Sequence, residues 1–151
     1  MRFWRMIAIV IVGIGLGLAW NAASGRGFAL SRNAFLLPGD QISEIPAAEA
    51  RERLERGALV LDARGWEFYK MGHIPGSLNL PMEDFENAFR KLEPKLRGSY
   101  DIIVYCAGYG CEASHIVTRQ LKEKGVHAVI LNEGWPAWED AGYATREGEQ
   151  P

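Results

Sequence analysis

Three short, strongly apolar runs constrain this chain more than any other feature: ALVLD at 58–62, DIIVY at 101–105 and HAVIL at 127–131. None shows the in-out alternation of a half-exposed strand, so each reads as a strand covered on both faces, the signature of a parallel sheet. Helical stretches separate them. Pro46 opens AAEARERLERG, with Gly57 just past its end. A short helix is expected over 66–71, and 82–96 places Phe85, Phe89 and Leu92 at helical spacing. Residues 113–124 present Ile116, Val117, Gln120 and Leu121 on adjoining turns before Gly125, and a last short helix covers 136–141. Two further strands are expected at 41–44 and 77–80. Strands alternating with helices imply an α/β fold, mainly parallel, whose chemistry gathers at the carboxyl ends of the strands.

Size and charge narrow the function. With 151 residues, 17 Lys+Arg, 19 Asp+Glu and a net charge of −2, the chain suits one globular domain and offers no basic face for nucleic acid. The charge is uneven, because the first 23 residues hold Arg2 and Arg5 and no acid. Residues 6–25 are uncharged, and as a helix at ~1.5 Å per residue they span roughly the ~30 Å of a bilayer core. With Arg2 and Arg5 ahead of the run, the expectation is a single-pass anchor with the domain on the exported side. A cleaved signal peptide ending near Ala22-Ala23-Ser24 is the alternative, giving a secreted domain. The expected organisation is an anchor or signal segment over 1–25, a linker over 26–40, a domain over 41–145 and a tail over 146–151. Phe28, Phe35, Leu36 and Leu37 in the linker are candidates for packing on the domain's outside.

The strand rule points to Cys106, which follows DIIVY and opens the loop Cys106-Ala107-Gly108-Tyr109-Gly110-Cys111 ahead of the next helix. Gly108 and Gly110 let the backbone curl so that successive N–H groups can cradle an anion, aided by the positive end of the following helix. A thiolate at position 106 is itself an anion, and such surroundings favour the ionised, nucleophilic form.

Four segments together resemble the rhodanese-like domain family, over nearly everything from Ile42 to Tyr143. LDARGWEFYKMGHIPGSLNLP is similar to the family's Asp-x-Arg and Gly-His-Ile-Pro-Gly signatures, VYC to its catalytic strand, and LNEGWPAW to its C-terminal strand-to-helix turn. The resemblance implies a five-stranded parallel sheet flanked by helices and a persulfide carried on Cys106. The implied activity is sulfurtransferase: Cys106 takes sulfane sulfur from a small donor such as thiosulfate and passes it to a thiol or cyanide. No metal or organic cofactor is needed, and loop N–H groups stabilise the charge in transfer.

The loop departs from the family pattern Cys-x-x-Gly-x-Arg-Ser. Gly110 comes one place late, Cys111 stands at the Arg position and Glu112 at the Ser position. No Arg or Lys occurs between Cys106 and Thr118, so the forked guanidinium that grips dianionic oxyanions is missing, which disfavours phosphatase activity and weakens the case for thiosulfate. Cys111 permits two readings: a resolving thiol that attacks a Cys106 persulfide and releases sulfide, or half of a plain disulfide. Two alternative functions follow from these departures, a non-catalytic binding module and a thiol–disulfide redox protein using Cys106 and Cys111.

Asp62 and Arg64 are expected to pair with each other or with loop backbone, and otherwise to shape the pocket. His73 is expected to hold the MGHIPG turn. His115 and His127 are isolated, and no metal-ligand spacing emerges from the three histidines and two cysteines. Trp135 and Trp138 are packing candidates, and Glu133 places an acid beside the expected pocket mouth.

Overall fold

The computed structural model describes Trp4, Met6, Val12, Gly13, Leu16 and Trp20, and then residues 42–151. Residues 1–41 and 42–151 form separate compact units. In the first, the six described residues are helical and exposed. No helix among the described residues is long and apolar enough to cross a membrane, so the expected span finds no support there; most of its residues, and the whole linker, lie outside the described set.

The second unit is built in chain order from β1 (Glu44–Ile45), α1 (Ala47–Glu55), β2 (Leu59–Asp62), α2 (Trp66–Met71), β3 (Leu78–Asn79), a 3₁₀ turn (Met82–Asp84), α3 (Phe85–Gly98), β4 (Ile102–Tyr105), α4 (Glu112–Glu123), β5 (Val129–Leu131) and α5 (Gly134–Asp140). The five strands form one parallel sheet in the order β1-β5-β4-β2-β3. The expected α/β architecture is therefore present. β4 lies at the centre, with Leu59 to Asp62 in register with Ile102 to Tyr105. The carboxyl ends of β2 and β4 thus finish side by side.

The two-residue period of the strands sorts the apolar runs onto two faces. Leu61, Ile102 and Val104 pack with Phe85 and Phe89 of α3 and Val117 and Leu121 of α4. Val60, Ile103 and Tyr105 pack on the opposite face with Ala50 of α1 and Trp138 of α5. Coverage of both faces explains why these runs lack polar alternation.

Element ends shift where local chemistry decides them. β1 occupies 44–45 rather than 41–44, because its paired residues are Glu44 and Ile45 and Pro46 then caps α1. The 82–96 segment divides into a 3₁₀ turn and a longer helix ending at Gly98. α5 starts at Gly134, two residues ahead of Pro136, which sits in the first turn where its missing N–H breaks no helical bond.

Candidate functional site

The four sequence motifs, separated along the chain, meet around Arg64. Its guanidinium grips Asp62 with two donors, Nε to Oδ1 at 3.0 Å and Nη2 to Oδ2 at 2.6 Å, and Nη2 also donates to Gly72 O at 2.6 Å. Asp62 is wholly buried and Arg64 is 8% exposed. Arg64 Cζ lies 4.7 Å from the Trp135 ring centroid and 5.3 Å from that of Tyr105. Trp135 in turn packs on Gly72, where an added Cβ would stand 3.1 Å from the indole. Asp62 and Arg64 therefore pair as expected, and what they hold together is the meeting point of four loops.

Tyr105, the residue before Cys106, completes the network. Its hydroxyl donates to Asp62 Oδ2 at 2.6 Å and accepts the Ile74 N–H at 3.2 Å. Burial, followed by the adjacent Asp62 charge, pushes the phenol's pKa up. For Arg64, burial alone would lower the pKa, but the hydrogen bonds and charge of Asp62 outweigh it and the net shift is upward. Both groups are thereby held in their protonated, donating forms. Sequence reasoning read Tyr105 only as part of a strand. The available signal was a phenol at the end of an otherwise aliphatic buried run, which requires a polar partner.

His73 is wholly buried and holds its turn, stacked on the Tyr69 ring at 3.9 Å. Nδ1 lies 2.9 Å from Tyr69 O and Nε2 lies 3.0 Å from Gln150 O. The backbone of His73 also exchanges two hydrogen bonds with Arg146. Residues 146–151, read from sequence as a tail, are thus fastened to the GHIPG turn. That contact spans 77 positions and has no local sequence signal.

Cys106 leaves the end of β4 at 3% exposure and is disulfide-bonded to Cys111, with the two Cα atoms 6.3 Å apart. Cys111 is half-buried and occupies the position just before α4, with no side-chain capping bond. The loop between them contains one internal backbone bond, Cys111 N–H to Gly108 O at 3.0 Å. The N–H groups of Ala107, Gly108, Tyr109 and Gly110 donate to no acceptor among the described residues. Gly108 and Gly110 take φ values of +136° and +76°, which glycine adopts at little cost. Tyr109 and Glu112 are exposed.

The turn after β5 fixes the near end of this loop. Trp135 N–H donates to Cys106 O at 2.8 Å. Gly134 approaches so closely that a Cβ there would stand 2.3 Å from Cys106 O, and its φ is +58°. Glycine is required on both counts. Glu133 precedes it with the same φ of 58° and an exposed side chain. Sequence reasoning noted the acid but not the contact. A groove of about 400 Å³ between Trp66, Pro81 and Leu92 has no lining residue from the cysteine loop. The paired sulfurs of Cys106 and Cys111, rather than that groove, define the candidate site.

A Rhodanese-like domain family model matches residues 46–141, and the chain belongs to that family. Over 111 residues it is 32% identical to an HTH-type transcriptional regulator of Mycobacterium tuberculosis, covering 73% of this chain and 47% of that protein. A tRNA sulfurtransferase of Desulfurococcus amylolyticus is 29% identical over 87 residues, 58% of this chain and 16% of that protein. The chain thus spans less than half of either curated relative. Among solved structures, the rhodanese-like domain of an Anabaena protein superposes with a TM-score of 0.59 at 31% identity, covering 71% of this chain and 80% of that one. The thiosulfate sulfurtransferase of Pseudomonas aeruginosa gives 0.60 at 28% identity, covering 72% of this chain and 21% of that one.

Proposed function

We propose that this protein is a sulfurtransferase or persulfide carrier with Cys106 as its nucleophile. The observation that carries this reading is the row of four loop amides with no acceptor among the described residues, following a sulfur at the end of the central strand. Such a row suits an anionic sulfur and the charge that moves through it during transfer. Likeness to a tRNA sulfurtransferase and a thiosulfate sulfurtransferase supports the reaction class.

In the reduced protein the Cys106 thiolate attacks the outer sulfur of a sulfane donor. The new S–S bond forms on Cys106 and the donor's remaining part leaves as an anion. An acceptor thiolate then attacks the outer sulfur of the persulfide and regenerates the Cys106 thiolate. Without an Arg in the loop, a monoanionic persulfide or polysulfide suits the site better than dianionic thiosulfate. Export by the segment over 1–25 would place this chemistry outside the cytosol, where a Cys106–Cys111 disulfide persists.

The test is intact mass. Reduced, desalted protein treated with glutathione persulfide gains one sulfur atom in the Cys111→Ser variant and none in the Cys106→Ser variant. Failure of Cys111→Ser to gain sulfur from any of glutathione persulfide, polysulfide or thiosulfate overturns the reading.

A further inference from the structure

The two sulfurs of the candidate site are unequal in a way that assigns each a direction of attack. Cys106 is 3% exposed, at the base of the loop, whereas Cys111 is half-buried and opens α4. An external thiolate must reach a disulfide sulfur to open it, so access selects Cys111 as the entry point. The leaving group is then the Cys106 thiolate, released beside the loop whose amides have no acceptor among the described residues. The pairing distance of 6.3 Å between Cα atoms lies within the ordinary range for a disulfide, so the sulfurs meet without unfolding the loop. Closing a ring over a sequence separation of five removes little chain entropy, which leaves the bond easily reversed.

We propose that this pair makes the protein a sulfane-sulfur reductase, which releases sulfide and is recharged by an external dithiol through Cys111. The inference rests on the Cys106 persulfide reading above. Once Cys106 carries the persulfide, the Cys111 thiolate attacks the Cys106 Sγ. The Sγ–S bond to the outer sulfur breaks, and that sulfur leaves as hydrosulfide, which takes up a proton to form hydrogen sulfide. The sulfane sulfur is reduced by two electrons, and the two cysteines are oxidised to the disulfide. A dithiol reductant then attacks the Cys111 sulfur, forms a mixed disulfide and frees Cys106. Its second thiol attacks the mixed disulfide, leaving an oxidised dithiol and a reduced pair.

One single-turnover experiment on the full chain separates this proposal from the reading beneath it. Reduced, desalted wild-type protein, Cys111→Ser and Cys106→Ser receive one equivalent of glutathione persulfide, and sulfide release and intact mass are measured. The proposal expects wild type to release one sulfide per protein and end as the internal disulfide. It expects Cys111→Ser to hold the extra sulfur after the glutathione released in charging is removed by rapid desalting, with sulfide appearing only when excess thiol is added, and Cys106→Ser to do neither. Wild type that keeps its extra sulfur and releases none overturns the reductase while leaving the persulfide carrier standing. Cys111→Ser that gains no sulfur from glutathione persulfide, nor from polysulfide or thiosulfate in its place, overturns both. For the entry point, the oxidised wild type is exposed briefly to glutathione, quenched with N-ethylmaleimide and mapped. Glutathione on Cys111 with the maleimide on Cys106 is expected, and the opposite labelling refutes the assigned direction.

Discussion

Cys106 stands between two regions built on opposite principles. On its N-terminal side, Tyr105 is tied to Asp62, Ile74 and the Arg64 cluster by hydrogen bonds between buried groups. On its C-terminal side, residues 107–110 carry four amides with no acceptor among the described residues, and all but the half-buried Gly108 are exposed. The first region satisfies its polar groups internally, as a buried network must. The second leaves its donors to whatever arrives. A sulfur held at the boundary is fixed in position by one side and offered partners by the other. Stability should therefore respond to the first region and sulfur chemistry to the second.

The largest stability effect is expected at Arg64. Arg64→Met removes the one side chain among the described residues that pairs with the wholly buried Asp62 carboxylate by a salt bridge, and stranding one member of a buried pair costs about 3–5 kcal/mol. Urea denaturation would show a correspondingly lower midpoint. Double replacement with Asp62→Leu should recover part of the loss, because a well-packed apolar pair avoids the desolvation of both charges. An Arg64→Met protein as stable as wild type would erase the proposed contrast.

Tyr105→Phe comes next, at about 1–3 kcal/mol, because it leaves Asp62 Oδ2 without its phenolic donor and Ile74 N–H without its acceptor. The same residue predicts a pH dependence. Its folded pKa is raised, chiefly by burial, so its stabilising contribution is intact below the unfolded value of about 10. Above that, the unfolded chain loses the phenolic proton first while the folded one keeps it, so stability falls as pH rises. The slope approaches about 1.4 kcal/mol per pH unit from this group. Tyr105→Phe should flatten that part of the curve, measured by denaturation between pH 9 and 11, as the order of those pKa values dictates.

The same contrast explains what the sequence made legible. The buried strands, the helices and the position of Cys106 follow from periodicity and from the rule placing chemistry at strand ends, and these are local properties of ALVLD, DIIVY and the loop glycines. Asp62 and Arg64, two residues apart, could be paired on paper. The Tyr105 hydroxyl could not be assigned to Asp62, because that bond crosses 43 positions and depends on the β2–β4 register. The docking of Gln150 on His73 and the approach of Gly134 to Cys106 were hidden for the same reason. Tertiary placement of a backbone atom leaves no mark on residue type except, at Gly134, a glycine whose purpose needs the fold to read it.

The smallest effect is expected at Glu133, where the two regions touch. Its φ of 58° and ψ of 2° place a residue with a Cβ in the left-handed region, and its carbonyl oxygen lies 3.7 Å from where a Cβ on Gly108 would stand. That conformation costs a non-glycine residue about 1–2 kcal/mol. Glycine removes the cost but gives the unfolded chain more freedom, which returns about 0.4–1 kcal/mol. Glu133→Gly should therefore stabilise the fold by about 1 kcal/mol or less, seen as a modest rise in the urea midpoint. It also deletes an exposed negative charge beside the cysteine loop, so reaction of the reduced protein with an anionic polysulfide should quicken at low salt, with the gain fading as salt is added. Glu133→Gln separates the two consequences. It keeps the strained backbone and loses the charge, so it should share the faster reaction but not the added stability; stabilisation by glutamine as large as that by glycine would show that charge, not backbone, sets the cost of this turn.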